Sequence, residues 1–124
     1  MRALWWVTAA QLALQLAMGV VGFAGFAADL FPEVTPVAAL AFRLAAWTNV
    51  TMVGLVAWLL RRGDDADVRA AALAALAYHA LAAIEGLSRA DGASALAEVA
   101  AGAARFHGAC AVSLVSAWLW ARPR

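Results

Sequence analysis

The sequence predicts an all-α integral membrane protein, an antiparallel bundle of four transmembrane helices that forms a single domain over residues 1–124. Three observations predict it. Of the 124 residues, 66% are hydrophobic and 14% charged, where a soluble domain carries about 25% charged residues, and the mean hydropathy is +0.81. Four stretches reach the roughly 20 mostly apolar residues that a spanning helix needs. The breaks between those stretches are short and rich in Asp, Gly, Pro and Arg, which makes consecutive helices antiparallel neighbours.

The first stretch runs from Leu4 to Ala28. Met1 and Arg2 followed by apolar residues imitate a signal peptide, but the run continues to Phe31 without a small-residue cleavage site and reads as a retained helix. Gln11, Gln15, Gly19, Gly22 and Asp29 follow at spacings of three, four and seven, so they share one stripe, which is expected to point inward. The break from Asp29 to Glu33 leads to Pro36, a residue suited to the first turn of the second helix.

The second stretch is Val37 to Leu60. Arg43, Trp47, Thr51, Gly54 and Trp58 recur at helical spacing and are expected to form its inward face. Arg43 is expected to meet Glu85 across the bundle. Asn49 lies on a different part of this helix, where it can hydrogen-bond a neighbouring one. The turn Arg61-Arg62-Gly63-Asp64-Asp65 leads to the third stretch, Val68 to Leu87, which carries His79 and Glu85. After Ser88-Arg89-Ala90-Asp91-Gly92, the fourth runs from Ala95 to Ala121 with Arg105 and His107. Glu98 and Arg105 are seven apart on this helix and are expected to pair. Small residues let membrane helices approach closely, so Gly19, Gly22, Gly25, Gly54, Gly102 and Gly108 are expected at helix contacts. A duplicated helical hairpin would account for Ala57-Trp58-Leu59 matching Ala117-Trp118-Leu119, and for Gln15 and Gly22 sharing the spacing of His79 and Gly86.

Charge placement orients the bundle. Arg2, Arg61, Arg62, Arg69, Arg122 and Arg124 fall on one side, which the positive-inside rule assigns to the cytoplasm. Trp5, Trp6, Trp58, Trp118 and Trp120 mark the same boundary, where an indole buries its ring and keeps its N–H wet. Both termini are then cytoplasmic in a multi-pass chain. All nine basic residues are arginine, which fits a GC-rich coding genome and hence a bacterial inner (cytoplasmic) membrane. The net charge of +1, spread over segment ends, forms no basic patch and argues against nucleic acid as a partner. The single cysteine, Cys110, allows no intrachain disulfide and no Cys-pair metal site.

The functional candidates are the polar residues that lipid would reject unless they faced the bundle interior. By helical rise, His79 and His107 both lie near the membrane midplane, roughly 16–18 Å from where their helices enter it. If both turn inward, their rings can approach each other or a shared ligand, and imidazole is the side chain whose unperturbed charge change falls in the physiological range. The favoured reading is a polar pocket in which His79, His107 and Glu85 exchange protons and Arg43 or Arg105 stabilises developing negative charge. Trp47, Gln15 and Asn49 would contact the ligand. The ligand is then a lipophilic small molecule and the chemistry acid–base, of isomerase or cyclase type, with no metal and no cofactor. Two alternatives remain open. One is an accessory or assembly subunit of a larger membrane complex, or a homo-oligomer. The other is a haem b cytochrome with His79 and His107 as axial ligands.

Overall fold

The structure is a computed structural model that describes residues 1–23, 36–88, 90 and 95–121, with the side chains of 19, 21–23, 36–45, 47, 95 and 96 outside that description. It is all-helical among the described residues: α1 (Arg2–Phe23), α2 (Pro36–Arg62), α3 (Asp65–Ser88) and α4 (Ala95–Trp120). These match the four predicted stretches, and Pro36 opens α2 as its missing N–H allows. The breaks around Asp29 and Asp91 lie outside the described residues.

The turn between α2 and α3 shows why the chain reverses there. Gly63 takes a φ of 76°, a left-handed conformation that a side chain disfavours and that ends helices. The Asp64 carbonyl accepts from the Val68 N–H at 2.9 Å, which makes Asp64 the N-cap of α3. Arg61 and Arg62 close α2, Asp65 and Asp67 open α3, and each set suits the partial charge of its helix end. Arg62 Nε and Asp67 Oδ2 pair at 2.7 Å across the turn.

Each helix buries one stripe at heptad-like spacing, the pattern of near-parallel helix packing. In α1 the buried positions are Leu4, Thr8, Gln11 and Gln15, and in α3 they include Val68, Ala72, Ala75, His79 and Gly86. The α2 stripe is Ala46, Asn49, Val53, Val56 and Leu60, fully or partly buried. This corrects the expected inward face of α2, because Thr51, Gly54 and Trp58 are exposed. The spacing of that set was helical, but its phase was wrong by roughly half a turn. Asn49, which sequence set apart from the stripe, lies on the true inner face.

Around the bundle α1 packs on α2, α2 on α3, α3 on α4 and α4 on α1, and α1 also touches α3 across the diagonal, whereas α2 and α4 do not pack on each other among the described residues. Leu4, Val56, Leu60, Val68, Leu114 and Ala117 form one apolar cluster, so the start of α1, the end of α2, the start of α3 and the end of α4 share one end of the bundle. The tryptophans gather there: Trp5 Nε1 donates to the Leu60 carbonyl at 3.1 Å, Arg62 lies over the Trp58 ring at 5.2 Å, and Arg69 over Trp118 at 5.7 Å.

The glycine expectation is corrected as well. A Cβ added at Gly54, Gly102 or Gly108 would meet nothing within 4 Å, whereas at Gly86 it would lie 2.8 Å from the Ala100 carbonyl oxygen and 3.0 Å from Ala104 Cβ. The close approach of α3 to α4 is built on Gly86. Gly19, Gly22 and Gly25 lie outside the described side chains. Two helices, Asp65–Ser88 and Ala97–Trp120 within α4, are long and apolar enough to cross a membrane by length and composition.

Candidate functional site

The stripe of α3 brings His79 into the bundle, where it is 1% exposed, and the stripe of α4 brings His107 up against it between Ala104 and Cys110. Their Nδ1 atoms are 2.9 Å apart and their ring centroids 5.1 Å. Two ring nitrogens at that distance form a hydrogen bond only when one carries the proton and the other a lone pair, so the two rings hold different tautomers. If both are neutral, the donor ring has a free lone pair on Nε2 and the acceptor ring has an Nε2–H. The pair therefore presents one basic and one acidic nitrogen, and a proton taken up at one end is released at the other once the shared proton crosses.

Tyr78 and Asn49 tie this pair to α2. The Tyr78 hydroxyl donates to Asn49 Oδ1, and the Tyr78 ring stands edge-on to His79 at 5.4 Å and to His107 at 5.6 Å. Gln11 ties α1 to α4: its Nε2 donates to the Cys110 carbonyl at 2.8 Å and to the Ser113 hydroxyl.

Beside His79 lies a small cavity of about 10 Å³, room for about one water molecule, whose polar lining is Thr8, Gln11, Gln15, Asn49, Tyr78 and His79, with apolar side chains such as Met52 completing the wall. Asp, Glu, Lys and Arg are all missing from its lining among the described residues. Two polar atoms there are buried without a hydrogen-bond partner among the described residues, Gln11 Oε1 and Gln15 Nε2. An unpaired buried polar atom costs about 1–3 kcal/mol, so this pair marks a place where a molecule that completes both bonds would be favoured. Thr8 contributes no such vacancy, since its hydroxyl donates to the Leu4 carbonyl at 2.8 Å.

Of the residues singled out from sequence, His79, His107, Gln15 and Asn49 come together here. Glu85 does not join them: it is exposed, about 9 Å along α3 from His79. Arg105 is exposed too, on the side of α4 turned away from His107. The expected pairing of Glu98 with Arg105 is absent, and neither Glu98 nor Arg105 has a partner among the described residues. The side chains of Arg43 and Trp47 lie outside the described residues, so the expected pairing of Arg43 with Glu85 does as well. No group of three or more His, Cys, Asp and Glu that could hold a metal ion occurs among the described residues.

Sequence reasoning passed over Tyr78, Gln11's bond to α4, and Thr8. A signal for Tyr78 was present: it is the single tyrosine of the chain, it precedes His79, and it sits deep in its helix rather than at an end, where tyrosine is usual. No family model, curated protein or solved structure matches this chain.

Proposed function

We propose that this chain is a small multi-pass protein of a bacterial cytoplasmic membrane, crossing it four times with both described ends inside, and that it acts on a lipophilic small molecule by acid–base chemistry of isomerase or cyclase type at the histidine pair. Helix length supports the membrane reading: α1 to α4 hold 22, 27, 24 and 26 residues, each about 33 Å or longer against a hydrocarbon core of about 30 Å. So does exposure. Leu73, Leu81, Ile84, Leu87, Val112 and Trp120 all face outward. The apolar windows of α3 and α4 are only 28% and 22% buried, whereas the core helix of a soluble protein would be mostly covered.

The observation that carries the catalytic reading is the direct contact of His79 with His107 beside a cavity with unpaired polar atoms. His79 is the member that lines the cavity, so it is the group that would exchange a proton with a bound molecule. His107 shares the resulting charge through the Nδ1 contact. Haem ligation is a poorer use of the same two rings. An iron between two imidazoles needs their ligating nitrogens about 4 Å apart, twice a metal–imidazole bond of about 2 Å, and a macrocycle between them. A Soret band in the purified protein would reinstate that reading.

The test is deuterium incorporation. The protein, in lipid nanodiscs with a total lipid extract of its host in deuterated water, should place deuterium in one lipophilic species. His79→Gln and His107→Gln, which keep hydrogen-bonding capacity without titrating in this range, should not. Incorporation no higher than in protein-free discs, or undiminished in both variants, would sink acid–base catalysis at this site.

One observation favours the accessory-subunit reading instead. Glu98 and Arg105 face outward from an apolar helix, a costly arrangement in lipid that a second membrane chain or a second copy would relieve. Copurification from mild detergent separates the two readings: a partner held by the native chain and lost from Arg105→Ala supports the subunit.

A further inference from the structure

Gln11 and Gln15 stand four residues apart on α1, the spacing at which helix side chains are neighbours. Each is only 6% exposed, and both line the small cavity beside His79. A carbonyl oxygen can only accept, so the bond from Gln11 Nε2 to the Cys110 carbonyl fixes which way that amide is turned. Gln11 Oε1 is then an acceptor without a donor, and Gln15 Nε2 a donor without an acceptor, among the described residues. A volume of about 10 Å³ is room for one water and for no larger molecule. One water can serve both atoms at once, since it both donates and accepts.

We propose that a single ordered water bridges the two glutamines in this cavity and, through a third bond to His79, sets the direction of the histidine pair. It accepts from the Gln15 Nε2–H and donates one hydrogen to Gln11 Oε1, which leaves one O–H to place. Of the other polar groups in the lining, the Thr8 and Tyr78 hydroxyl hydrogens are spent on the Leu4 carbonyl and on Asn49 Oδ1, and His79 Nδ1 is engaged with His107. The most basic acceptor left is His79 Nε2. Its lone pair takes the second O–H and brings the water to three hydrogen bonds, the usual number for a buried water. A neutral imidazole with a bare Nε2 carries its proton on Nδ1. His79 is then the donor across the 2.9 Å contact and His107 the acceptor, so the free N–H of the pair is Nε2–H of His107, the ring that is partly exposed where His79 is 1% exposed. The basic end of the pair thus lies on the water and the acidic end on the less buried ring. What this direction does for catalysis rests on the acid–base reading above; the water and the tautomers do not.

The full chain in lipid nanodiscs, labelled with nitrogen-15, tests this by magnetic resonance. In the native protein, cross-relaxation from water should reach the side-chain amides of Gln15 and Gln11 with the sign of a long-lived bound water. The nitrogen shifts should show His79 protonated at Nδ1 and bare at Nε2, and His107 the reverse. Gln15→Leu removes the donor to the water together with an unpaired polar atom, and so should remain folded. In that variant the water signal at the Gln11 amide should weaken, and the preference for one tautomer arrangement over the other should fall about fivefold, the worth of one hydrogen bond. No bound water at either glutamine of the native chain, His79 protonated at Nε2, or an unchanged tautomer preference in Gln15→Leu would overturn the proposal. Deuterium incorporation into the host lipid extract, measured on the same samples, decides the other reading separately. Its absence beside the bound water and the stated tautomers would remove acid–base catalysis and uphold the water site.

Discussion

Gly86 and the histidine pair are where single atoms decide what this bundle can do. At Gly86 a methyl group would press on the Ala100 carbonyl and the Ala104 backbone nitrogen, so Gly86→Ala should separate α3 from α4 at a cost of about 1–3 kcal/mol. Gly102→Ala, in open space on the outer side of α4, should be neutral or slightly stabilising, as alanine favours helix over glycine by up to about 1 kcal/mol. Thermal unfolding in detergent measures both, and equal midpoints would show that the close approach does not matter. Because Gly86 lies seven residues after His79 on the same stripe of α3, the variant should also loosen the histidine contact. That contact has its own readout. Nitrogen-15 spectra of the native protein should show one protonated Nδ1 coupled to one bare Nδ1, and His107→Gln should abolish the coupling. Two uncoupled rings in the native chain would mean that no proton is shared. The sequence placed both histidines at one depth, and that was enough to bring them together. It had no means of choosing among glycines, because close approach depends on which face a glycine occupies and not on its abundance.

At the scale of the element, position along a helix was readable and rotation about its axis was not always. In α1 the polar Gln11 and Gln15 interrupt an apolar surface, and both are buried, so they mark the inward face. In α2 the face read from helical spacing ran through Thr51, Gly54 and Trp58, and these are exposed. On the membrane reading proposed above, apolar side chains prefer lipid and core almost equally, so Trp58 can face outward while Ala46 and Val56 fill the centre. Asn49 is the residue that reports the phase of α2, because its side chain must find a partner, and it finds Tyr78. The turn from α2 to α3 was legible as a break at Arg61 to Asp65, as its chemistry is local. Gly63→Ala should cost roughly 1–2 kcal/mol because the left-handed conformation at φ 76° is retained. Asp67→Asn should cost less than about 1 kcal/mol, since the Arg62 partner is 53% exposed and water screens the pair. Unfolding midpoints that ranked these two in reverse would assign the turn's stability to the ion pair rather than to backbone conformation.

For the whole molecule, the arrangement of the two ends bears on the proposed membrane orientation. The sequence alone put six arginines and five tryptophans at one boundary, and the structure brings Trp5 to Leu60, Arg62 to Trp58 and Arg69 to Trp118 at one end of the bundle. An arginine over an indole is a favourable pairing at a wet, low-dielectric boundary, and the indole remains free to lie among lipid head groups. The other end is poorer in arginine: the break that follows α3 offers Arg89 and Asp91, and the one before α2 offers Asp29 and Glu33. The positive-inside rule then predicts that the tryptophan end is cytoplasmic. A reporter fused after Arg124 should read cytoplasmic, and one inserted near Asp91 should read external. The inverted result would place the cluster around Leu4, Leu60 and Leu114 on the outer side. Both reporters reading cytoplasmic would mean that α4 does not cross at all, and the exposed leucines and valines of α3 and α4 would then have to be covered by another protein surface rather than by lipid. The histidine pair makes the distinction matter: α3 and α4 together supply His79 and His107, so only if both helices cross does the proton-sharing contact lie inside the membrane, within reach of a molecule that arrives through lipid.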